Sequence, residues 1–375
     1  MKMIINLHNG MSDMSALHIQ NLSKKFGQQN AVYDTSWQAK RGEIVCLLGH
    51  SGCGKTTMLR LIAGLESPSA GQIMFGDRIL WSNTHHVAAE HRNIGLVFQD
   101  YALFPHLNVF ENIKFGLNHF KREQQKQIAD DVLKHVSLSQ HATKYPHMLS
   151  GGEQQRIALA RALAPKPDVL LMDEPFSNLD RRLRDRIRQD TLSILRDLGT
   201  TTIIVTHDPE EALHIADQII LMHEGQIIQS GTPQQLYETP NSLFAAEYFS
   251  AINQIPCVVN HNVLKSACGQ LEFKSINPEQ RVDQSTSPNA NYLYCFRPYH
   301  VTLSVEPQNQ DSIPVTVTSS DYLGHQMLVK VQIHSTSYII HAQGIFHCPT
   351  HVGQALFMCI QPQQSFIFAK DSATP

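Results

Sequence analysis

The sequence predicts an α/β layer built on a buried, largely parallel sheet, followed by a small all-β domain. Two observations carry this reading. Short apolar runs recur through the first two-thirds of the chain with helical stretches between them, and the composition changes after about residue 253. The runs are Ile44–Leu48, Ile94–Phe98, Val169–Met172, Thr202–Val205 and Gln218–Met222, and helical character appears at Thr56–Gly64 and Gln154–Ala164. Continuous rather than alternating apolar runs mark strands buried on both faces, as in a parallel sheet covered by helices. Residues 101–158 are richer in helix formers, Lys121–Val136 for example, and predict a helical insertion into the layer. Beyond residue 253, Thr, Ser, Gln and His rise. Short runs such as Val315–Val317, Met327–Ile333 and Tyr338–His341 alternate with breaks at Pro278, Pro288, Pro307 and Pro314. That pattern predicts a barrel-like β domain, with residues 232–249 as the connection.

Composition bounds the function. A chain of 375 residues with 42% hydrophobic and 17% charged residues fits two or three globular domains. A net charge of -3 gives no basic field for DNA or RNA. The 21 histidines are scattered, and none stands beside a cysteine at metal-site spacing. The seven cysteines are odd in number and form no CxxC, so free thiols in a reducing compartment are expected. Cys257 with Cys268, or Cys348 with Cys359, stands as the paired alternative. No apolar run approaches the ~20 residues that span a bilayer. Asn6, His8, Asn9 and Gly10 interrupt any signal-peptide core. Residues 1–15 read as an extension before a first strand near Ala16, with Met11 and Met14 as alternative starts. Any work at a membrane is therefore expected from its cytoplasmic side, through a partner.

The strongest motif is Gly49-His50-Ser51-Gly52-Cys53-Gly54-Lys55-Thr56, which matches G-x-x-x-x-G-K-[ST] between an apolar run and a helix that opens with Thr57. Such a loop turns backbone N–H groups and a helix N-terminus onto phosphates. Lys55 adds a point charge for the β- and γ-phosphates, and the Thr56 hydroxyl a ligand for Mg2+. Downstream, Val169–Met172 ends in Asp173-Glu174. At a strand tip Asp173 can hold the magnesium, and Glu174 can take a proton from an attacking water. Alone, an acidic strand end is as often an ordinary turn, and the loop upstream tips the balance. In Leu149-Ser150-Gly151-Gly152-Glu153-Gln154, Ser150 caps a helix whose start carries no bulky side chain. A bare helix N-terminus suits an anion, although an ordinary capped helix reads the same way. His207, directly after Thr202–Val205, can reach a γ-phosphate, but a lone strand-end histidine is more often structural.

Taken together, Gly49–Thr56, Gln99, Leu149–Gln154, Leu170–Glu174, Ser177–Asp180 and His207 stand in the order and spacing of the ATPases of ABC transporters. They resemble that family's Walker A, Q-loop, signature, Walker B, D-loop and H-loop. The resemblance covers residues 16 to about 245. It implies a P-loop NTPase of the ABC ATPase class with a helical subdomain at about 101–158, and an OB-like β domain within 246–375. It implies ATP and Mg2+ as cofactors. ATP would meet Phe26, Gly49, His50, Ser51, Gly52, Cys53, Gly54, Lys55, Thr56, Thr57, Gln99 and, from an opposed copy, Ser150, Gly151, Gly152 and Glu153. Phe26 would stack on adenine; its alternative is a buried strand residue. Thr56, Gln99 and Asp173 would serve the metal, Glu174 and His207 the hydrolysis, and Asp180 the dimer interface. Two copies would face head to tail beneath two permease subunits or one fused permease, at the cytoplasmic face of the inner membrane. A periplasmic solute-binding protein would act indirectly, and no nucleic acid would be involved. Glu153 departs from the family's usual Gln at that position.

One ATPase domain followed by a β domain resembles the importer ATPases for maltose, polyamines, sulfate and ferric iron. Val97–Leu107, Tyr145-Pro146-His147 and Ser177–Asp180 are most similar to the ferric-iron group. Phe296-Arg297-Pro298 and Tyr322-Leu323-Gly324 resemble turns of the accessory domain, and Leu103–Leu107 would lie near the permease contact. The alternatives are a polyamine, sugar or sulfate importer, an ABC ATPase acting on ribosomes or in DNA repair, and a small-molecule kinase. The chain has neither a second ATPase domain nor a coiled coil, and a kinase would lack Leu149–Gln154.

Overall fold

The computed structural model describes residues 15–177, 181–260, 263–272 and 291–370. The chain divides into two compact units, Met1–Pro233 and Gln234–Pro375.

The first unit holds two sheets. In chain order its strands are β1 (Ser15–Phe26), β2 (Gln29–Lys40), β3 (Ile44–Leu48), β4 (Ala70–Phe75), β5 (Arg78–Ser82), β6 (His85–His86), β7 (Ile94–Val97), β8 (Val169–Asp173), β9 (Thr201–Thr206), β10 (Gln218–His223) and β11 (Gln226–Gly231). Its helices are α1 (Lys55–Ala63), α2 (Val109–Lys114), α3 (Arg122–His135), α4 (Gly151–Leu163), α5 (Arg181–Leu198) and α6 (Pro209–Ile215). One sheet runs β11-β10-β3-β9-β8-β7, parallel from β10 to β7, with β11 antiparallel at its edge. The five apolar runs of the sequence are its five parallel strands. β3 and β9 are buried at every residue, which is why they read as unbroken apolar stretches.

The second sheet, β2-β1-β4-β5-β6, is antiparallel throughout. Leu17, Ile19, Leu22, Val32 and Trp37 from this sheet pack with Val45, Leu47, Met58, Ile62, Leu171 and Val205 in one core, so α1 and the parallel sheet share a hydrophobic layer with it. α1 stops at Gly64, whose φ of 82° lets its N–H return to the Arg60 and Leu61 carbonyls. Fully buried Arg92 then donates to the Leu61 and Ile62 carbonyls, at 2.8 Å each, and places a cation where the helix dipole is negative. Between β7 and β8, helices α2, α3 and α4 gather around Val109, Ile113, Leu133, Ile157 and Ala160 in a separate core.

The second unit opens with α7 (Pro233–Glu238) and α8 (Leu243–Phe249). Its strands are β12 (Asn253–Asn260), β13 (Val263–Ser266), β14 (Gly269–Glu272), β15 (Asn291–Phe296), β16 (Val301–Ser304), β17 (Ile313–Tyr322), β18 (Met327–Ile333), β19 (Ile339–Gly344), β20 (Ala355–Ile360) and β21 (Ser365–Ala369). They form two antiparallel sheets, β14-β13-β12-β15-β21 and β16-β20-β17-β18-β19, an all-β OB-like architecture. Ile255, Tyr294, Val315, Val329 and Met358 meet between the sheets. Asn253 ties one sheet to the other, donating to the His341 carbonyl and accepting the His341 N–H, both at 2.8 Å. α8 covers Leu293, Cys295, Phe366 and Phe368. All seven cysteines are free, so neither Cys257 with Cys268 nor Cys348 with Cys359 forms a bridge. Among the described residues no helix is long and apolar enough to cross a membrane.

Candidate nucleotide site

The carboxyl ends of the parallel strands converge on one edge of the sheet. Register fixes this: Leu48 lies opposite Thr206, Asp173 opposite Val205, and Val97 opposite Met172. The chain leaving β3 is the Gly49–Gly54 loop, β8 leads into Glu174, β9 into His207, and β7 through Phe98 into Gln99. Four segments distant in sequence thus meet where α/β sheets bind ligands.

The loop is a backbone cradle. Gly49, Gly52 and Gly54 have φ of 157°, 83° and 105°. A Cβ at Gly49 would strike the Met222 carbonyl and the Cys53 sulfur, and one at Gly54 the Ala31 carbonyl. Neither position admits a side chain, so the backbone itself lines the loop, as a phosphate cradle requires. α1 begins at Lys55 with no acid in its first turn, which leaves its positive end unopposed. Lys55 is 5% exposed, and its ammonium donates to the Gly49 and His50 carbonyls at 2.6 and 2.9 Å. His50, Ser51 and Gly52 are exposed on the loop, Cys53 is buried beneath it, and Thr57 lies half-buried on α1.

Thr56 Oγ1 donates to Asp173 Oδ1 at 3.4 Å. Burial, and then the adjacent Glu174, hold the Asp173 carboxyl above its usual range, with the Thr56 hydrogen bond opposing. A hydroxyl and a carboxylate this close form a hard-oxygen pair suited to a small divalent cation. Glu174 takes a left-handed φ of 44°, and its N–H bonds the Val205 carbonyl at 3.0 Å. Its Oε1 lies 3.1 Å from His207 Nδ1. Gln99 Nε2 reaches Ser177 Oγ at 3.5 Å, and Ser177 Oγ donates to the Glu174 carbonyl at 2.9 Å. Ser177 links the segments after β7 and β8. Sequence reasoning placed it in a motif and gave it no bond, because its partner became visible only when the two strands were brought side by side.

Phe26 ends β1 opposite Gln29, is 50% exposed, and carries the Lys24 ammonium 4.8 Å from its ring centre. It is a surface aromatic, not a core residue. β2 approaches the loop through the Ala31 carbonyl. Asp180 lies outside the described residues.

Ser150, Gly151, Gly152 and Glu153 form the start of α4. Ser150 is its N-cap, and Glu153 completes a reciprocal capping box. Among the described residues the hydrogen bonds of Ser150 and Glu153 close on each other, with Glu153 also meeting His141, and not on the Gly49–Thr56 loop. The His141 contact leaves no mark in the local sequence pattern. Farther along α4, Arg161 donates to the Ala102 and Tyr101 carbonyls at 2.7 and 3.0 Å. It thereby pins the turn that follows Gln99, where both residues have positive φ.

The arrangement fits a nucleoside triphosphate: an amide cradle, a helix N-terminus, a buried cation, an oxygen pair for a metal and a carboxylate–histidine pair alongside. Comparison with known proteins agrees. The ABC transporter family model matches residues 32–177. The chain is 40% identical over 324 residues to the Fe(3+) ions import ATP-binding protein FbpC of Brucella melitensis, spanning 86% of this chain and 89% of that protein. It is 39% identical over 334 residues to the sulfate/thiosulfate import ATP-binding protein CysA of Bacillus cereus, spanning 88% and 90%. Among solved structures it resembles the ATP-binding cassette MJ0796, a dimer in a post-hydrolysis state with ADP and Pi, with TM-score 0.51 and 31% identity over 58% of this chain and 98% of that one. With four of its motifs placed along one sheet edge and its relatives matched over most of their length, the chain belongs to the ABC transporter family as one of its ATP-hydrolysing subunits.

Proposed function

We propose that this subunit energises uptake of ferric iron across the cytoplasmic membrane, working as a pair of copies on the inner face beneath two permease subunits or one fused permease. A periplasmic solute-binding protein would deliver the cargo without touching this chain. The observation that carries the catalytic part is the Glu174–His207 pair at 3.1 Å, beside Thr56–Asp173 at 3.4 Å. The relatives named for Fe(3+) import support the cargo.

In this reading the Gly49–Gly54 amides and Lys55 bind the triphosphate, Phe26 stacks on the base, and Thr56, Asp173 and Gln99 hold Mg2+, which neutralises phosphate charge when bound. Glu174 orients a water and accepts its proton. His207 holds the Glu174 carboxylate and meets the γ-phosphate. Ser150, Gly151 and Gly152 of the second copy present the α4 N-terminus to that phosphate, and Asp180 lies at the junction of the copies. The dimeric cassette solved with ADP and Pi supports pairing. Residues 246–375 are proposed as a regulatory accessory domain.

A sulfate importer is the second reading, favoured by the 39% identity to a sulfate/thiosulfate import protein. Labelled ferric uptake in a strain lacking the gene separates the two. Loss of iron uptake, restored by wild type and not by Glu174→Gln, is expected. Normal iron uptake with defective sulfate uptake would reassign the cargo.

A further inference from the structure

The last signature position, Glu153, is bonded through both carboxylate oxygens. Oε2 accepts the Ser150 N–H at 2.8 Å and the Ser150 hydroxyl at 2.7 Å. Oε1 lies 3.2 Å from His141 Nε2, on the connection between α3 and α4. The Glu153 N–H in turn points at Ser150 Oγ at 3.4 Å. These contacts fix the carboxylate from two sides, and the Ser150 hydrogen bonds hold its carboxyl below the usual range, so it stays ionised near neutrality.

A hydroxyl owns one proton. Here the acceptor is a carboxylate at a distance typical of charge-assisted bonds, about twice as strong as neutral ones. Committed in this way, Ser150 Oγ turns lone pairs, not a proton, toward anything approaching the α4 N-terminus. A carboxamide at position 153 behaves differently. Its oxygen, in the place of Oε2, meets the Ser150 N–H and hydroxyl as a neutral acceptor, with its NH2 toward His141, so the hydroxyl proton is held about half as strongly and can turn to a phosphate oxygen.

We infer that Glu153 is a positioning residue that holds the Ser150 hydroxyl proton away from the nucleotide of the opposed subunit and so weakens ATP binding at the signature face. The inference rests on the reading that Ser150 of one copy meets ATP on the other. It makes this subunit one that closes on ATP only at higher nucleotide concentration than its carboxamide variant.

The test is a double-mutant cycle on the full chain: wild type, Glu153→Gln, Ser150→Ala and the double variant. Phosphate release is measured against ATP concentration, with thermal unfolding in parallel. Glu153→Gln is isosteric and keeps the capping box, so its unfolding temperature should stay at the wild-type value. Its KM for ATP should fall about three- to tenfold, the range of one ordinary net hydrogen bond. In the Ser150→Ala background the same substitution should leave KM unchanged. Glu153→Ala breaks the box and lowers the unfolding temperature, yet should also lower KM, an outcome a purely structural role would not give. An unchanged KM in Glu153→Gln, or an equal fall with and without the Ser150 hydroxyl, overturns the inference. Wild-type kinetics in Ser150→Ala would overturn the opposed-copy reading itself, and this inference with it. Loss of activity in Ser150→Ala combined with an unmoved Glu153→Gln would overturn the inference alone.

Discussion

His207 Nδ1 stands 3.1 Å from Glu174 Oε1, the histidine at the end of β9 against the glutamate at the end of β8. The two strands are neighbours in register, and the left-handed φ of 44° at Glu174 turns its N–H onto the Val205 carbonyl. A glutamate pays about 1 kcal/mol or more for that conformation, which persists only where the surroundings enforce it. The carboxylate is thus aimed by both its backbone and its partner.

His207→Ala removes the partner and leaves the backbone. Phosphate release should fall by about a hundredfold, the usual weight of a positioned acid–base group, with little change in KM for ATP. Steady-state kinetics check this. A rise in KM with kcat intact would assign His207 to nucleotide binding instead.

Glu211 supplies a pH dependence. It is 5% exposed, accepts the Thr206 hydroxyl at 2.8 Å, and leaves Oε1 without a hydrogen bond. Burial is the main reason its carboxyl is pushed up to about 7. A folded-state value above the unfolded one means that the folded protein binds the extra proton. The stability it contributes is full below about 4.5 and is lost as pH rises through about 7. Over that window the loss is on the order of 3 kcal/mol. Glu211→Gln keeps an acceptor for Thr206 and cannot ionise, so urea midpoints from pH 5 to 8 should flatten relative to wild type. Parallel curves for the two proteins would contradict this.

Arg161 holds two consecutive left-handed residues, Tyr101 and Ala102, by their carbonyls, while its guanidinium lies 5.4 Å from the Phe104 ring centre. Arg161→Ala should cost about 1–3 kcal/mol in urea unfolding and speed hydrogen exchange at residues 99–104. Arg161→Lys should recover only part of this, because lysine lacks the planar guanidinium that reaches both carbonyls in a fixed fork and lies against the Phe104 ring. Full recovery by lysine would show that charge alone matters there.

Arg297 organises the second unit. Fully buried, it donates to the Tyr237 and Ala246 carbonyls at 2.7 and 3.4 Å and to Ser250 Oγ, and it lies 3.9 Å from the Tyr237 ring centre. Arg297→Ala strands those acceptors and removes a cation–π contact, for about 3 kcal/mol or more. Unfolding followed by tyrosine fluorescence should show an early transition, while nucleotide binding by the first unit persists. A single unshifted transition would contradict the role given to Arg297.

The parallel sheet was legible because burial on both faces writes strands such as β3 and β9 as unbroken apolar runs. The motifs at Gly49–Thr56, Gln99, Asp173–Glu174 and His207 were legible because each follows one of those runs. The antiparallel sheet was not. In β2 only Val32, Thr35, Trp37 and Ala39 are fully inward, and register shifts in the β1–β2 pairing break the two-residue period. Glu211 stands beside Glu210 at the start of a short helix and reads as a solvated acid, since nothing local says that β3 and β9 will bury it. The His141–Glu153 contact joins a loop to a helix start and has no periodic signature at all.

The most direct test compares wild type with Glu174→Gln in two assays on the same preparations: equilibrium binding of ATP with Mg2+, and phosphate release. The account predicts that Glu174→Gln binds ATP at least as tightly as wild type, pairs into a dimer on doing so, and releases phosphate at about a hundredth of the rate or less. Hydrolysis by Glu174→Gln at the wild-type rate would remove Glu174 from the chemistry and contradict the site as described.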